Sequence, residues 1–512
     1  MKMKKMTIAV MAILSSCAGL SGCISEQKHT FRWSESTIEE LQQAFSRGDI
    51  NCREVVEGYI RRIETLDKKG PAFNSIITLN PDALAIAAEH DRQKDKRAPL
   101  WCVPVIVKDN INTADMPTTL GLSALKNSQP PEDADVIKRL RKEGAIILGK
   151  ANMDELAIAM LGLSSSGGQT RNAYVLSNGP GGSSGGTATA VSANLAMVGL
   201  GTDTGGSIRI PSALAGLTGI RPGRTLASLN GVAPLSITQD TVGPMCRKVE
   251  DCARILRFTE LHSTPERQKK IMDALNGSGL KGARLAMVSG MFPARTSDNE
   301  EYWKVIDEAI NVIRQAGATV DVVELPEQDQ ILNKYMSLAR FEIMSGLDMY
   351  LRSWPSDKDN HPRSYDEVLS SKGYAPETEK WLILYREKSA NRLNDPDWKK
   401  NSQGRQAFVR NQISKVMDGK VSYDALLYPT LTQLNVPLGN NTEGRKNVSL
   451  SSFSGLPAVS FMAGMTGGKE PQPVALEFLG REFSEPELIN LVRGYEVVHP
   501  VRVAPPLAPE LP

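Results

Sequence analysis

Two Gly-Gly-Ser clusters, centred on Ser183 and Ser207, stand in one run, Gly179–Pro211, with a small-residue segment between them. Glycine doublets beside serine expose backbone N–H groups and let a substrate come close to the main chain. A hydroxyl nucleophile next to amides that can hold a developing oxyanion is what acyl transfer needs. A flexible Gly/Ser linker has a similar composition. A linker would not, however, enclose the apolar stretch Ala188–Leu200, which reads as a packed helix running into a strand. A phosphate-binding loop would carry Lys and then Ser or Thr after its last glycine. Here Thr187 and Ala188 follow Gly186, and no lysine occurs between Lys150 and Lys248.

A serine nucleophile needs a base. His29, His90, His262 and His361 sit in polar or peripheral contexts, and His499 falls at the expected end of the last helix. None follows a clear strand or a glycine turn, so a Ser-His-Asp arrangement has little support. Gly-x-Ser-x-Gly is absent around Ser207. Lys108 is the better candidate, because it terminates the strongly apolar run Trp101–Val107. Desolvation there would lower its pKa, and buried lysines can fall to about 5–6.

The elements that must position these groups alternate between two periods. Ser36-Thr37-Ile38-Glu39-Glu40 offers capping-box starts with a stop at Gly48, and a second helix opens at Asn51 with Glu54 three residues on. Helices are expected at Ala83–Asp91, near Asp133–Glu143 and near Met153–Met160; strands are expected at Trp101–Val107 and Ala145–Leu148. Such alternation indicates an α/β sheet covered on both faces. From about Asp298 to Lys415 the chain is richer in charge and reads as a mostly helical segment that shapes a substrate entrance. Strands return at Ala425–Tyr428, Ala458–Met462 and Val474–Phe478, and the proline-rich tail Val503–Pro512 is expected to be extended and poorly ordered.

Length and composition bound the rest. The 512 residues suffice for a large core, and the formal charge of +2 is near balance. No basic block interleaved with aromatics is present, so nucleic acid is not an expected partner. MKMKK followed by the apolar Met6–Leu20 resembles an export signal, and Leu20-Ser21-Gly22-Cys23 a bacterial lipoprotein processing site. We therefore expect a signal peptide at residues 1–22, lipidation at Cys23, a tether over residues 23–35 and a domain anchored by lipid at a bacterial membrane, facing the periplasm. Cys52, Cys102, Cys246 and Cys252 match no zinc spacing, and no metal site or cofactor is expected. Export permits disulfides, but scattered cysteines in a large domain need none.

PGGSSGG, then GTDTGGSIRIPS, with VIVKDN upstream, resemble the amidase signature family, and the likeness runs from LDKKGPAFNSIITLNPDALAIAAEHD to PVALEFLGREFSEPELINLVRGYE. The resemblance implies one large α/β/α domain, residues 36–505, around a twisted mixed sheet, with a tail at 506–512. It implies serine hydrolysis of linear carboxamides. Lys108 matches the family's lysine, Ser183 its bridging serine after a cis peptide, and Ser207 its nucleophile. Backbone N–H groups of Thr204, Gly205, Gly206 and Ser207 would hold the oxyanion. Asp203 and Arg209 match positions that brace the nucleophile loop, and Ser184, Thr202 and Gln169 match supporting hydrogen-bonding positions. SITQDTVGPM and RFEIMSGLDMYL resemble the peptide-amidase-like branch, whose substrates would be peptide amides or small aliphatic or aryl amides. Cys102, Ala173 and Gly223-Arg224 depart from the family pattern outside the three catalytic positions. The alternatives are a glutamyl-tRNA amidotransferase A-like subunit, which the export signal disfavours, and a non-catalytic surface binding protein on the same scaffold.

Overall fold

The computed structural model describes residues 31–93, 98–354, 361–434 and 436–511. The expected signal peptide, Cys23 and all but the last five residues of the tether lie outside them. An 11-stranded mixed sheet forms the centre of a single α/β domain. Across it the strands run Ile76–Leu79, Ile146–Ala151, Pro104–Lys108, Val198–Asp203, Thr241–Cys246, Thr218–Arg221, Ala458–Met465, Pro473–Leu479, Ala425–Pro429, Arg284–Val288 and Thr319–Val323.

Pro104–Lys108 runs parallel to both of its neighbours, Ile146–Ala151 and Val198–Asp203. Every residue of these three strands is buried. Successive side chains point to opposite faces, so complete burial means that both faces are covered, and this is why the sequence there is a continuous apolar run rather than an alternation. The strand starts later than the sequence suggests. Trp101 and Cys102 form a turn, with the Trp101 N–H bonded to Ala98 O and Cys102 at φ 58°.

The first two helices, Ile38–Arg47 and Cys52–Leu66, carry the expected capping boxes on Thr37/Glu40 and Asn51/Glu54. The helix expected near Met153–Met160 does not form. Only a short 3₁₀ turn, Glu155–Ala157, occurs, with Leu156 and Ala157 at positive φ. Tertiary hydrogen bonds displace the helix. Asp154 Oδ1 accepts the Leu161 and Gly162 N–H groups at 2.6 and 2.9 Å, and Glu155 Oε1 accepts those of Ser165 and Ala375.

Residues 298–415 hold helices Glu300–Gln315, Ala339–Arg352, Tyr365–Ser371, Glu379–Ala390, Pro396–Ser402 and Arg405–Met417, the last ending just past the segment. They also contribute the edge strand Thr319–Val323, parallel to Arg284–Val288, so the first part of the segment belongs to the sheet. Cys52, Cys102, Cys246 and Cys252, for which the sequence permitted disulfides without requiring them, pair as Cys52–Cys102 and Cys246–Cys252, each with Cα atoms 5.6 Å apart. Cys52 opens a helix and Cys102 sits in the turn before a central strand, a contact that linear spacing does not reveal. Residues 503–511 of the tail are extended and hydrogen-bonded to the body of the domain. Arg62 donates to Pro509 O and Ala508 O, Glu510 accepts the Trp33 and Ser34 N–H groups, and Tyr174 Oη donates to Val503 O. Among the described residues no helix is long and apolar enough to cross a membrane.

Candidate active site

Lys108 ends its strand fully buried, and Nζ donates to Ser183 Oγ at 2.7 Å and to Thr202 Oγ1 at 2.8 Å. Asn110 Nδ2 donates to the same threonine oxygen at 3.1 Å, fixing it as an acceptor. Burial pushes the Lys108 ammonium down to about 7, against the opposing charges of Asp154, Asp240 and Asp203. A neutral amine is therefore accessible near neutral pH. The Gly182–Ser183 peptide is cis, and the Asp154 N–H meets Ser183 O at 3.4 Å. Asp154 is itself pushed up to about 7 by burial, and its Oδ2 has no hydrogen-bond partner.

Ser207 lies on the loop between strand Val198–Asp203 and helix Arg209–Leu214. Gly206 has φ +108°, and a Cβ there would meet Val448 Cγ2 at 2.5 Å, so the loop requires glycine at this position. Asp203 organises the turn. Its carboxylate accepts the Gly206 N–H at 2.8 Å and the Ile208 N–H at 3.2 Å, and pairs with Arg209 Nε at 3.1 Å and Arg221 Nη1 at 2.9 Å. Burial alone would raise this carboxyl, but the two guanidinium groups hold it well below the ordinary carboxylate range. Arg209 reaches onward to Glu477 Oε1 at 2.6 Å, Val448 O and Ser452 Oγ, tying the loop to strand Pro473–Leu479 and helix Ser449–Ser454. A cavity of about 510 Å³ opens against Thr204, Gly205 and Ser207, walled on its far side by Tyr335, Met336 and Tyr385.

The amidase family model matches residues 54–489. The chain belongs to the amidase family. It is 32% identical to the A subunit of glutamyl-tRNA(Gln) amidotransferase from Alkaliphilus metalliredigens, over 90% of this chain and 96% of that protein. It is also 32% identical to a probable amidase of Arabidopsis thaliana, over 93% and 92% respectively. The structure is similar to that of native peptide amidase from Stenotrophomonas maltophilia, with a TM-score of 0.80 and 32% identity over 92% of this chain and 99% of that one.

The fold brings Lys108, Ser183, Thr202 and Ser207 together from three segments: the strand ending at Lys108, the turn at Ser183, and the strand Val198–Asp203 with the loop that follows it. Ser184 joins them: its N–H donates to Ser207 O at 3.3 Å and its Oγ to Thr202 O at 3.2 Å. Among the described residues the Ser183 and Ser207 hydroxyls are not hydrogen-bonded to each other. Gln169 stands further out. Its Nε2 donates to Leu161 O, Gly162 O and Thr170 O, so it braces the loop that Asp154 also holds. The expected oxyanion set needs one correction, since the Gly206 N–H is already committed to Asp203. The Thr204, Gly205 and Ser207 N–H groups have no protein acceptor among the described residues.

Sequence reasoning missed Asp154, Asn110, Arg221, Glu477 and Asp240. Asp240 Oδ1 accepts from Thr204 Oγ1 at 2.5 Å while Oδ2 accepts the Leu235 and Ser236 N–H groups. The available signal was a charged residue inside an otherwise apolar run, as with Glu477 in PVALEFL and Arg221 at the end of TGIR.

Proposed function

We propose that this protein hydrolyses linear carboxamides, either C-terminal peptide amides or small aliphatic and aryl amides, through Ser207, Ser183 and Lys108. The observation that carries the reading is the buried Lys108 Nζ–Ser183 Oγ hydrogen bond of 2.7 Å, with Ser207 on the adjoining loop facing a cavity. In the proposed reaction Ser207 Oγ attacks the amide carbonyl, its proton passes to Ser183 Oγ, and the Ser183 proton passes to neutral Lys108. The Gly205 and Ser207 N–H groups stabilise the oxyanion. Returning the proton along the same path to the departing nitrogen breaks the C–N bond and leaves an acyl-enzyme. Water, activated by the same relay, then releases the acid.

The experiment is active-site labelling of the purified protein with a serine-directed fluorophosphonate, beside Ser207→Ala and Lys108→Ala variants. Labelling of wild type alone is expected. Equal labelling of wild type and Ser207→Ala removes Ser207 as the nucleophile.

A second reading, in which the chain releases ammonia from glutamine for a tRNA-dependent partner, is favoured by the amidotransferase relatives. The basic-then-apolar N-terminus ending at Cys23 supports the first reading, because a component of that kind has no use for export. We propose accordingly that the mature chain begins at lipidated Cys23 and faces the periplasm. Cys23→Ala should release the protein from the membrane fraction; unchanged fractionation would count against the anchor.

A further inference from the structure

The cavity at Ser207 is lined by Arg340, Arg445 and Lys446 and by one acid, Glu443. Lys446 is already engaged, with Nζ 2.6 Å from Asn333 Oδ1. The two arginines keep donors to spare. Arg340, at the start of helix Ala339–Arg352, has a buried Nε with no hydrogen-bond partner. Arg445, on the loop before helix Ser449–Ser454, uses Nη1 on the backbone oxygen of Thr442. Among the described residues neither guanidinium forms an ion pair; the exposed Glu443 acts on Arg445 only through its charge, which opposes the effect of burial.

Arg247 and Arg405 likewise form no ion pair among the described residues, but they spend their donors on backbone and amide oxygens. Arg209, Arg221, Arg267 and Arg502 each meet at least one carboxylate. A half-buried guanidinium with unused donors carries a desolvation cost that a carboxylate partner offsets. The two arginines converge on Tyr385, whose hydroxyl is raised by burial and drawn down by both of their charges. They come from segments about a hundred residues apart in the chain, yet they face one space beside the nucleophilic loop.

We propose that Arg340 and Arg445 form an anion subsite in the Ser207 cavity, so that the preferred substrate is an amide bearing a carboxylate. The planar donor fork of arginine matches a carboxylate in two parallel hydrogen bonds, which gives orientation as well as charge pairing. Tyr335, Met336 and Tyr385 supply the apolar and aromatic wall for the carbon chain between the carboxylate and the reacting carbonyl. The inference rests on the assignment of Ser207 as the acylated residue.

The test compares kcat/KM for matched amides with the full-length mature protein. One arm uses glutaric acid monoamide, with the carboxylate on the acyl side, against the neutral hexanamide. The other uses N-acetylglycine, with the carboxylate on the leaving side, against the neutral N-propylacetamide. In at least one arm the anionic amide is expected to be preferred about tenfold or more, with the preference falling at high salt. Arg340→Met and Arg445→Met should each lower the ratio of anionic to neutral kcat/KM, while Arg445→Lys retains part of it. A merely structural role would lower both substrates together and leave the ratio unchanged. Equal turnover of anionic and neutral amides in both arms overturns the subsite while leaving the amidase reading intact. A further measurement does not depend on turnover: titration of glutarate into the Ser207→Ala protein should show saturable binding that an added Arg445→Glu change removes. No binding, or binding indifferent to that change, also overturns the subsite, whereas failure of wild type to cleave any amide counts against the amidase reading itself.

Discussion

Asp154 lies directly against Gly182, the residue before Ser183: a Cβ built at Gly182 would stand 2.1 Å from Asp154 Oδ2 and 2.8 Å from the Met160 Cα. The second of these neighbours is backbone and cannot swing aside. Gly182→Ala should therefore displace Ser183 from Lys108 and cost about 1–3 kcal/mol or more in stability. Thermal unfolding with fluorophosphonate labelling checks this; a variant with wild-type melting and wild-type labelling would contradict it.

The acylation rate should depend on pH through Lys108. Burial brings its amine to about 7, so below that value the group is protonated and cannot take the proton from Ser183. The rate should rise about tenfold per unit on the acid side and level off above neutrality. Asp154 is the first of the charges that raise Lys108, so removing it should move the acid limb to lower pH. Stopped-flow acylation of wild type and Asp154→Asn across the range from acid to mildly alkaline pH measures both. A flat profile argues against a lysine base, and an upward shift in the variant argues against the coupling.

Asp203→Asn should be among the most damaging single changes. It leaves Arg209 and Arg221 buried with their shared counter-charge removed, and breaking such a pair costs about 3–5 kcal/mol. It also loosens the acceptor that holds the Gly206 and Ile208 N–H groups. Urea unfolding should show the loss, and labelling at Ser207 should fall even below the transition. Retention of wild-type stability would mean that Glu477 suffices to hold Arg209.

The two disulfides should contribute unequally. Cys52–Cys102 joins residues with a sequence separation of 50, and Cys246–Cys252 residues with a separation of 6. Constraint of the unfolded chain predicts about 4 kcal/mol for the first and about 2 kcal/mol for the second. Denaturant curves of the paired Cys→Ser variants test the order, and the reverse order would show that native packing around the short bridge dominates.

Much of the architecture is legible in the order of the residues. The buried parallel strand Pro104–Lys108 shows as an unbroken apolar run because both faces of the sheet are covered. The capping residues Thr37 and Asn51 mark helix starts because their side chains bond backbone groups only three residues away. Lys108, Ser183 and Ser207 are recognisable by type and setting. Met153–Met160 misleads because its apolar spacing suits a helix, while Asp154 and Glu155 find better partners in Leu161, Gly162, Ser165 and Ala375.

Period, capping and glycine-rich turns depend on neighbours within a few residues. Such local preferences are enough to set most strands and helix starts and to single out Lys108, Ser183 and Ser207 as candidates. Which distant groups meet is a matter of packing, and no local preference encodes it. Packing put Glu477 against Arg209, Cys102 against Cys52, the tail against Arg62, and Arg445 beside Arg340 in the Ser207 cavity. The same packing took Lys108 out of water, and that desolvation is what brings its amine into the range where it can act as a base.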